Sequence, residues 1–276
     1  MGKCQYCGQS AGFFSSKHDE CALKHDEGVE KIREAIRQAS EANSFEDLSK
    51  GISQIAQQGL ITGQEIEEIS VHSWEKAATR FLEDSLLDEK EEKSLMDLQE
   101  SLDLSQAQLD KKGIYGKVAK SAILRELMAG KIPDKLKING TLPFNFQKDE
   151  TLVWLFTNVP YLEEKTHTVY VGSSQGVSMR IMKGLYYRVG AFKGQPVSKT
   201  AHEQVDTGFL ALTNKHIYFA GQSKSFRIQY DKIVSFKPYE DGIGIVRDAT
   251  SAKPQTFITN DGWFTYNLVT NLAKME

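Results

Sequence analysis

The chain has 276 residues, 40% hydrophobic and 26% charged, which excludes a disordered or fibrous protein. Its formal charge of −3 argues against a polyanion binder at the level of the whole molecule, and no apolar run approaches the roughly 18 residues of a membrane-crossing helix. The cysteines are three in number, and Gln5, Gln9 and Ser10 interrupt any apolar signal core, so a cytoplasmic protein without a disulfide framework is expected.

Every cysteine falls in CQYCGQSAGFFSSKHDEC, residues 4–21. Cys4-x2-Cys7 has knuckle spacing: two thiolates grip one metal while Gly8 lets the backbone turn away. His18-x2-Cys21 puts a second pair on one face of a first helical turn, with Ser16 placed to cap that helix. Together these residues form a Cys3His set suited to tetrahedral Zn2+. Cys21-x3-His25 is also a helical ligand spacing, so His18 and His25 both stand as the fourth donor. A catalytic metal needs an open position and a general base. Asp19 and Glu20 at a helix start point to solvent, so a structural zinc is expected. The stretch resembles a treble-clef-like zinc knuckle. Its lysines (Lys3, Lys17, Lys24) are opposed by Asp19, Glu20, Asp26 and Glu27, which favours protein docking or plain stabilisation over nucleic-acid binding.

From about residue 18 to residue 130 the apolar residues recur at helical period. Val29, Ile32, Ile36 and Ala39 form one stripe, and Phe45, Leu48, Ile52 and Ile55 a second. Thr62-x-x-Glu65 reads as a capping box, echoed by Asp88-x-x-Glu91 and Ser105-x-x-Gln108, each preceded by apolar residues. A bundle of about five helices is expected, stopped by Gly130 and Pro133. Its pattern is similar to the small acidic bundles of tellurite-resistance-type domains, a resemblance that implies no site residue. Asp84, Asp88, Glu89, Glu91 and Glu92 lack the alternating oxygen ligands and central glycine of a calcium loop and read as a solvated acidic face.

Beyond a linker the period changes. Short strands are expected at 152–156, 169–171, 179–181 and 186–189, then a meander through Ile217–Phe219, Phe226–Tyr230, Ile233–Pro238, Ile243–Arg247 and Thr256–Thr259. A helix over Gly262–Met275 closes the chain. Charge divides unevenly: residues 1–140 carry 19 Lys/Arg against 25 Asp/Glu (−6), and residues 141–276 carry 15 against 12 (+3). Gly208, Leu210, Leu212, Thr213, Asn214, Ile217, Tyr218, Phe219, Gly221, Ser225, Ile228, Tyr230 and Ile233 resemble the core of bacterial pleckstrin-homology-like and GRAM-type domains, with His216 where that pattern has arginine. These positions specify a fold and leave function open.

The expected architecture is α+β and multidomain: a zinc knuckle (1–27), an all-α bundle (28–130), a linker (131–140) and a PH-like β-barrel or sandwich capped by a helix (141–276). The resemblance implies binding, in a protein of bacterial or phage type. Anionic lipid headgroups would need clustered cations at one barrel mouth. Lys215, Lys224, Arg227 and Lys232 are the candidates, with Arg180, Lys183 and Arg188 from an earlier hairpin, and Asp231, Glu240 and Asp241 dilute them. No nucleophile elbow, P-loop, dinucleotide fingerprint or HExxH is present. His167, His202 and His216 read as ordinary sheet residues, and Asp206, Asp241 and Asp261 as turn residues. A non-enzymatic adaptor or regulator with a protein partner is expected, ahead of a peripheral sensor of anionic lipid, with nucleic-acid binding last.

Overall fold

The computed structural model describes the chain except residues 1, 84–85, 135, 137, 139, 171–178, 183–184, 188–195, 250–252 and 276. For residues 165–170, 179–182, 185–187 and 196–201 it describes the backbone alone. The expectations for Asp84, Val171, Lys183, Arg188 and Val189 lie outside the described residues. Two compact units divide the chain, Met1–Ala129 and Gly130–Glu276.

The first unit opens with strands β1 (Gly2–Lys3) and β2 (Ser10–Gly12), an antiparallel hairpin. Helices α1 (Asp19–Ala42), α2 (Leu48–Gly59), α3 (Gly63–Leu82), α4 (Glu89–Ser101), α5 (Gln106–Leu109) and α6 (Ile114–Met128) follow. All three capping signals form complete boxes: Thr62 with Glu65, Asp88 with Glu91, and Ser105 with Gln108. Each box satisfies otherwise orphaned amides at a helix start. Ser16 does not cap α1; His18 is the N-cap and makes no side-chain cap bond. The helix also runs through residue 27 without a break, so the ligand-bearing turn and the bundle share one rigid rod.

The helical stripes meet in a core of Ile32, Ile36, Ile52, Trp74, Leu95 and Leu98, among others. Trp74 carries the one polar atom of that group, and its Nε1–H donates to the Leu95 carbonyl at 3.0 Å. The Leu87 amide, carried inward with its side chain, donates to Ser121 Oγ at 2.8 Å. Helices α1 and α2 meet through glycines: a Cβ on Gly28 would lie 3.1 Å from Gly59 Cα.

The second unit is built on β3 (Leu152–Tyr170), β4 (Met179–Met182), β5 (Leu185–Tyr187), β6 (Pro196–Thr213), β7 (His216–Gly221), β8 (Ser225–Gln229), β9 (Ile233–Pro238), β10 (Gly242–Arg247) and β11 (Gln255–Ile258). Helix α7 (Gly262–Lys274) ends it. Seven strands form one antiparallel sheet in the order β8-β7-β6-β3-β11-β10-β9, and β4 pairs with β5 separately.

The expected barrel does not close. The edge strands β8 and β9 share no ladder among the described residues, although only a 3-10 turn, Tyr230–Lys232, separates them in sequence. So short a link holds the two edges within about 10 Å at that corner, and the sheet must coil strongly. Buried Tyr230 fills the corner, its hydroxyl donating to the Thr213 carbonyl at 3.0 Å. The sheet is therefore open and coiled.

Tyr161, Phe219, Phe226 and Phe257 pack within the sheet with ring centroids 5.1–6.3 Å apart. Phe264 of α7 meets Trp154 edge-on at 5.0 Å. Asp261 caps α7 by accepting the Phe264 amide at 3.1 Å. The helix starts against bare backbone, since a Cβ on Gly262 would lie 1.9 Å from the Tyr239 carbonyl oxygen. Gly262→Ala is expected to destabilise this unit by about 1–3 kcal/mol, read as a lower urea midpoint at unchanged slope. A stability equal to wild type would mean that this junction shifts freely.

Candidate metal centre

Four side chains on two local elements converge at the N-terminus. The donor atoms of Cys4, Cys7, His18 and Cys21 all lie within 4.8 Å of one another. Cys4 and Cys7 sit in the turn after β1. Gly8, at φ +72°, sends the chain back by a conformation that side chains rarely adopt, and its amide closes the turn on the Cys4 carbonyl at 2.8 Å. His18 and Cys21 come from the start of α1, three positions apart and so on one face.

The spacing fits a metal. A tetrahedral centre with metal–sulfur bonds of about 2.3 Å and a metal–nitrogen bond of about 2.05 Å has S···N edges of about 3.6 Å. Here His18 Nδ1 lies 3.5 Å from Cys7 Sγ and 3.6 Å from Cys21 Sγ. The other ring nitrogen, Nε2, donates to the Ser10 carbonyl at 3.0 Å, which fixes the tautomer that leaves Nδ1 as a donor to metal. Cys4 is 1% exposed, and its sulfur accepts the His18 amide at 3.5 Å.

The charge on ionised thiols would also favour a cation. Burial opposes ionisation of Cys4, but amides of Cys7, His18 and Tyr6 outweigh it and bring the pKa down to about 6. Burial first, then hydrogen bonds and charge from Cys7 and Cys4, push Cys21 up to about 11. Thiolates crowded this closely cannot all ionise without a neutralising ion. A divalent metal removes that conflict.

Of the two histidines weighed as the fourth donor, His18 joins the cluster. The structure directs His25 elsewhere: its Nε2 lies 3.0 Å from Glu65 Oε1 and its ring packs on Tyr6 at 4.5 Å. It lines a groove of about 480 Å³ with Glu30, Arg33, Glu65 and His72.

Lys215 and Lys224 lie in the turns at opposite ends of β7, and Arg227 lies on the neighbouring β8. Lys215 Nζ donates to the Lys148 carbonyl at 3.4 Å. The backbone of Lys224 is tied to Asp206, whose carboxylate accepts the amides of Ser223 at 2.8 Å and Lys224 at 2.7 Å. Those bonds, that of Ser223 foremost, hold the Asp206 carboxyl well below the usual range. Asp206 and Asp261 thus do turn and cap work.

A second polar cluster has no counterpart in the sequence reading. Glu150 and His216 have side chains 0% and 2% exposed. His216 Nδ1 donates to Glu150 Oε1 at 2.6 Å, Thr213 Oγ1 to the same oxygen at 2.9 Å, and Tyr218 Oη to Oε2 at 2.6 Å. Phe144 and Phe146 pack on the Tyr218 ring at 5.8 and 5.2 Å. Glu150 stands 66 residues from His216. The one available signal was an acidic residue just ahead of a strand, facing a histidine in a long apolar run.

No protein-family model matches this chain, and no curated protein matches it significantly.

Proposed function

We propose that this protein is a non-enzymatic adaptor whose metal-anchored N-terminal loop docks a partner protein. The observation that carries this reading is the pair Phe13 and Phe14, 78% and 106% exposed, on the loop between the two ligand pairs. Large aromatic side chains presented side by side to water mark an interaction site, and aromatic anchors dominate protein interfaces. Ligands at both ends of the loop reduce the entropy lost when it binds.

The metal in this reading is zinc, which three thiolates and an imidazole suit in four-coordinate form. With all four donors supplied by the protein, the ion's contribution is structural. The second unit is read as a pleckstrin-homology-like, GRAM-type module. Two features support that reading: the Gly208–Ile233 residue pattern, and a meander that ends in a helix packed on the sheet. Thiols kept free to bind metal fit a reducing compartment such as the cytoplasm. No helix among the described residues is long and apolar enough to cross a membrane.

The test replaces both aromatics, Phe13→Ser with Phe14→Ser. Metal content and thermal midpoint are expected to stay at wild-type values, because neither ring is packed. A partner trapped by a photo-crosslinker at position 13, then purified, is expected to bind wild type at least about 100-fold more tightly than the double variant. Equal affinity for both would remove the loop from the interface and sink the reading.

A further inference from the structure

The β3–β6 pair outruns the rest of the sheet. The ladder of β3 with β11 ends at Glu163, opposite Gln255, and the ladder of β6 with β7 spans Gly208–Leu212. Farther along, β3 and β6 pair with each other from Lys165↔Ala201 to Tyr170↔Pro196, without a register shift. Among the described residues no third strand joins this stretch. It is a two-stranded ribbon about 20 Å long.

Its register sorts the residues by face, because directly opposed positions share a face and successive pairs alternate. Lys165, His167 and Lys199 fall on one face, with Lys199 directly opposite His167. Thr166, Thr168, Ser198 and Thr200 fall on the other. Residues 165–202 contain six Lys/Arg and no Asp or Glu, where about five acids would follow from the 37 in the chain. The remainder of 141–276 holds 9 Lys/Arg against 12 Asp/Glu, or −3. The whole positive excess of that half therefore lies in the ribbon and the segment between its strands.

We propose that the β3–β6 ribbon is a nucleic-acid-binding arm that contacts the phosphate backbone of a duplex through Lys165 and Lys199. A two-stranded ribbon has the width of a major groove, and hydroxyl side chains such as those of its second face commonly bond phosphate oxygens. The register also places Ala201, Val169 and Val197 on the face with the two lysines, and Tyr170 and Pro196 on the face with the hydroxyl residues, so neither face is the apolar surface that a lipid-inserting hairpin needs. The expectation against nucleic acid came from the net charge of the whole chain and from the balanced charge of the N-terminal stretch, and neither bears on this local cationic arm. This inference is independent of the Phe13–Phe14 loop; together the two would make the adaptor bridge a protein and a nucleic acid.

The test is fluorescence anisotropy of the full-length protein with labelled DNA and RNA duplexes of about 20 base pairs, from about 50 to about 200 mM salt. Wild type is expected to bind at least one duplex, with affinity falling steeply as salt rises. Lys165→Gln with Lys199→Gln is expected to weaken that binding about 10-fold and to flatten the log–log salt slope by about 2, one for each phosphate no longer neutralised. A matched pair on the helical unit, Lys31→Gln with Lys50→Gln, should leave both unchanged, and circular dichroism checks that each variant folds. No duplex binding at low salt, or unchanged affinity and slope in the Lys165/Lys199 variant, overturns the proposal. So does binding to phosphatidylserine vesicles, lost with the same two lysines, in the absence of duplex binding; that result would assign the arm to lipid.

Discussion

Cys4→Ser, or removal of the metal by a chelator, is expected to release the N-terminal hairpin while the bundle downstream stays folded. The reason lies in what the segment buries. Ahead of Gly28 the only buried apolar side chains among the described residues are Cys4 and Ala22, and the buried cluster of the bundle begins at Ile32. Each residue held in one backbone conformation costs about 1–2 kcal/mol of entropy, and β1 and β2, of two and three residues, add few ladder bonds. Metal coordination would be large enough to offset that cost, since structural zinc sites supply folding energy directly.

Wild type is therefore expected to hold one zinc per chain, and Cys4→Ser less than about one tenth of that after dialysis. Amide protection at Cys4 and Gly8, whose bonds to the Gln9 and Cys4 carbonyls close the turn, should vanish in the variant. Protection along α1 beyond its first turn should persist, because Ile32 and Ile36 anchor it in the core. His25→Ala separates the two histidines: it should retain full metal, whereas His18→Ala should not. Metal retained by Cys4→Ser with the hairpin still protected would falsify the assignment of these ligands.

The second large effect is expected in the β unit. Glu150→Ala removes the acceptor of four donors at once: His216, Thr213, Tyr218 and the Gln147 amide. Breaking one member of a buried hydrogen-bonded charge cluster costs about 3–5 kcal/mol, because its partners stay buried and unpaired. For a unit of this size that amounts to a fall of about 6–15 °C in thermal midpoint. Tyr218→Phe removes one donor and leaves the carboxylate three, so about 1 kcal/mol is expected. Glu150→Ala and His216→Ala should be strongly non-additive, as one cluster is lost in both. Additive losses would mean that the residues act separately.

The same carboxylate sets a pH dependence. Burial works against its ionisation, but bonds from Tyr218, the Gln147 amide, His216 and Thr213 prevail, and the Glu150 carboxyl lies below its ordinary value. A lowered folded value means that the unfolded chain binds the proton more readily. The contribution of Glu150 is therefore complete above the ordinary carboxylate pKa of about 4.3 and is lost as pH falls from there through the lowered folded value. Unfolding free energy measured from pH 7 down to pH 3 should fall more steeply for wild type than for Glu150→Ala. Parallel curves would show that the cluster carries no proton linkage.

Much of this molecule is legible one turn at a time. The three capping boxes, the left-handed turn at Gly8, the strand limits from β7 to β11 and the cap at Asp261 follow from residues within a few positions of one another, and such signals act before any tertiary contact forms. The Cys/His cluster belongs with them, because both ligand pairs lie in one short segment. The sequence left three matters to the folded chain: which histidine completes the cluster, what Glu150 does, and which cations of the second half share a face. His25 is withdrawn by Glu65, 40 residues away. Glu150 meets His216 across 66 residues. Lys165 and Lys199 share a face only through the register of β3 and β6. A periodicity or a cap records a residue's neighbours along the chain, whereas pairings at long range depend on how strands align and helices pack, and those are decided by the burial of the whole core.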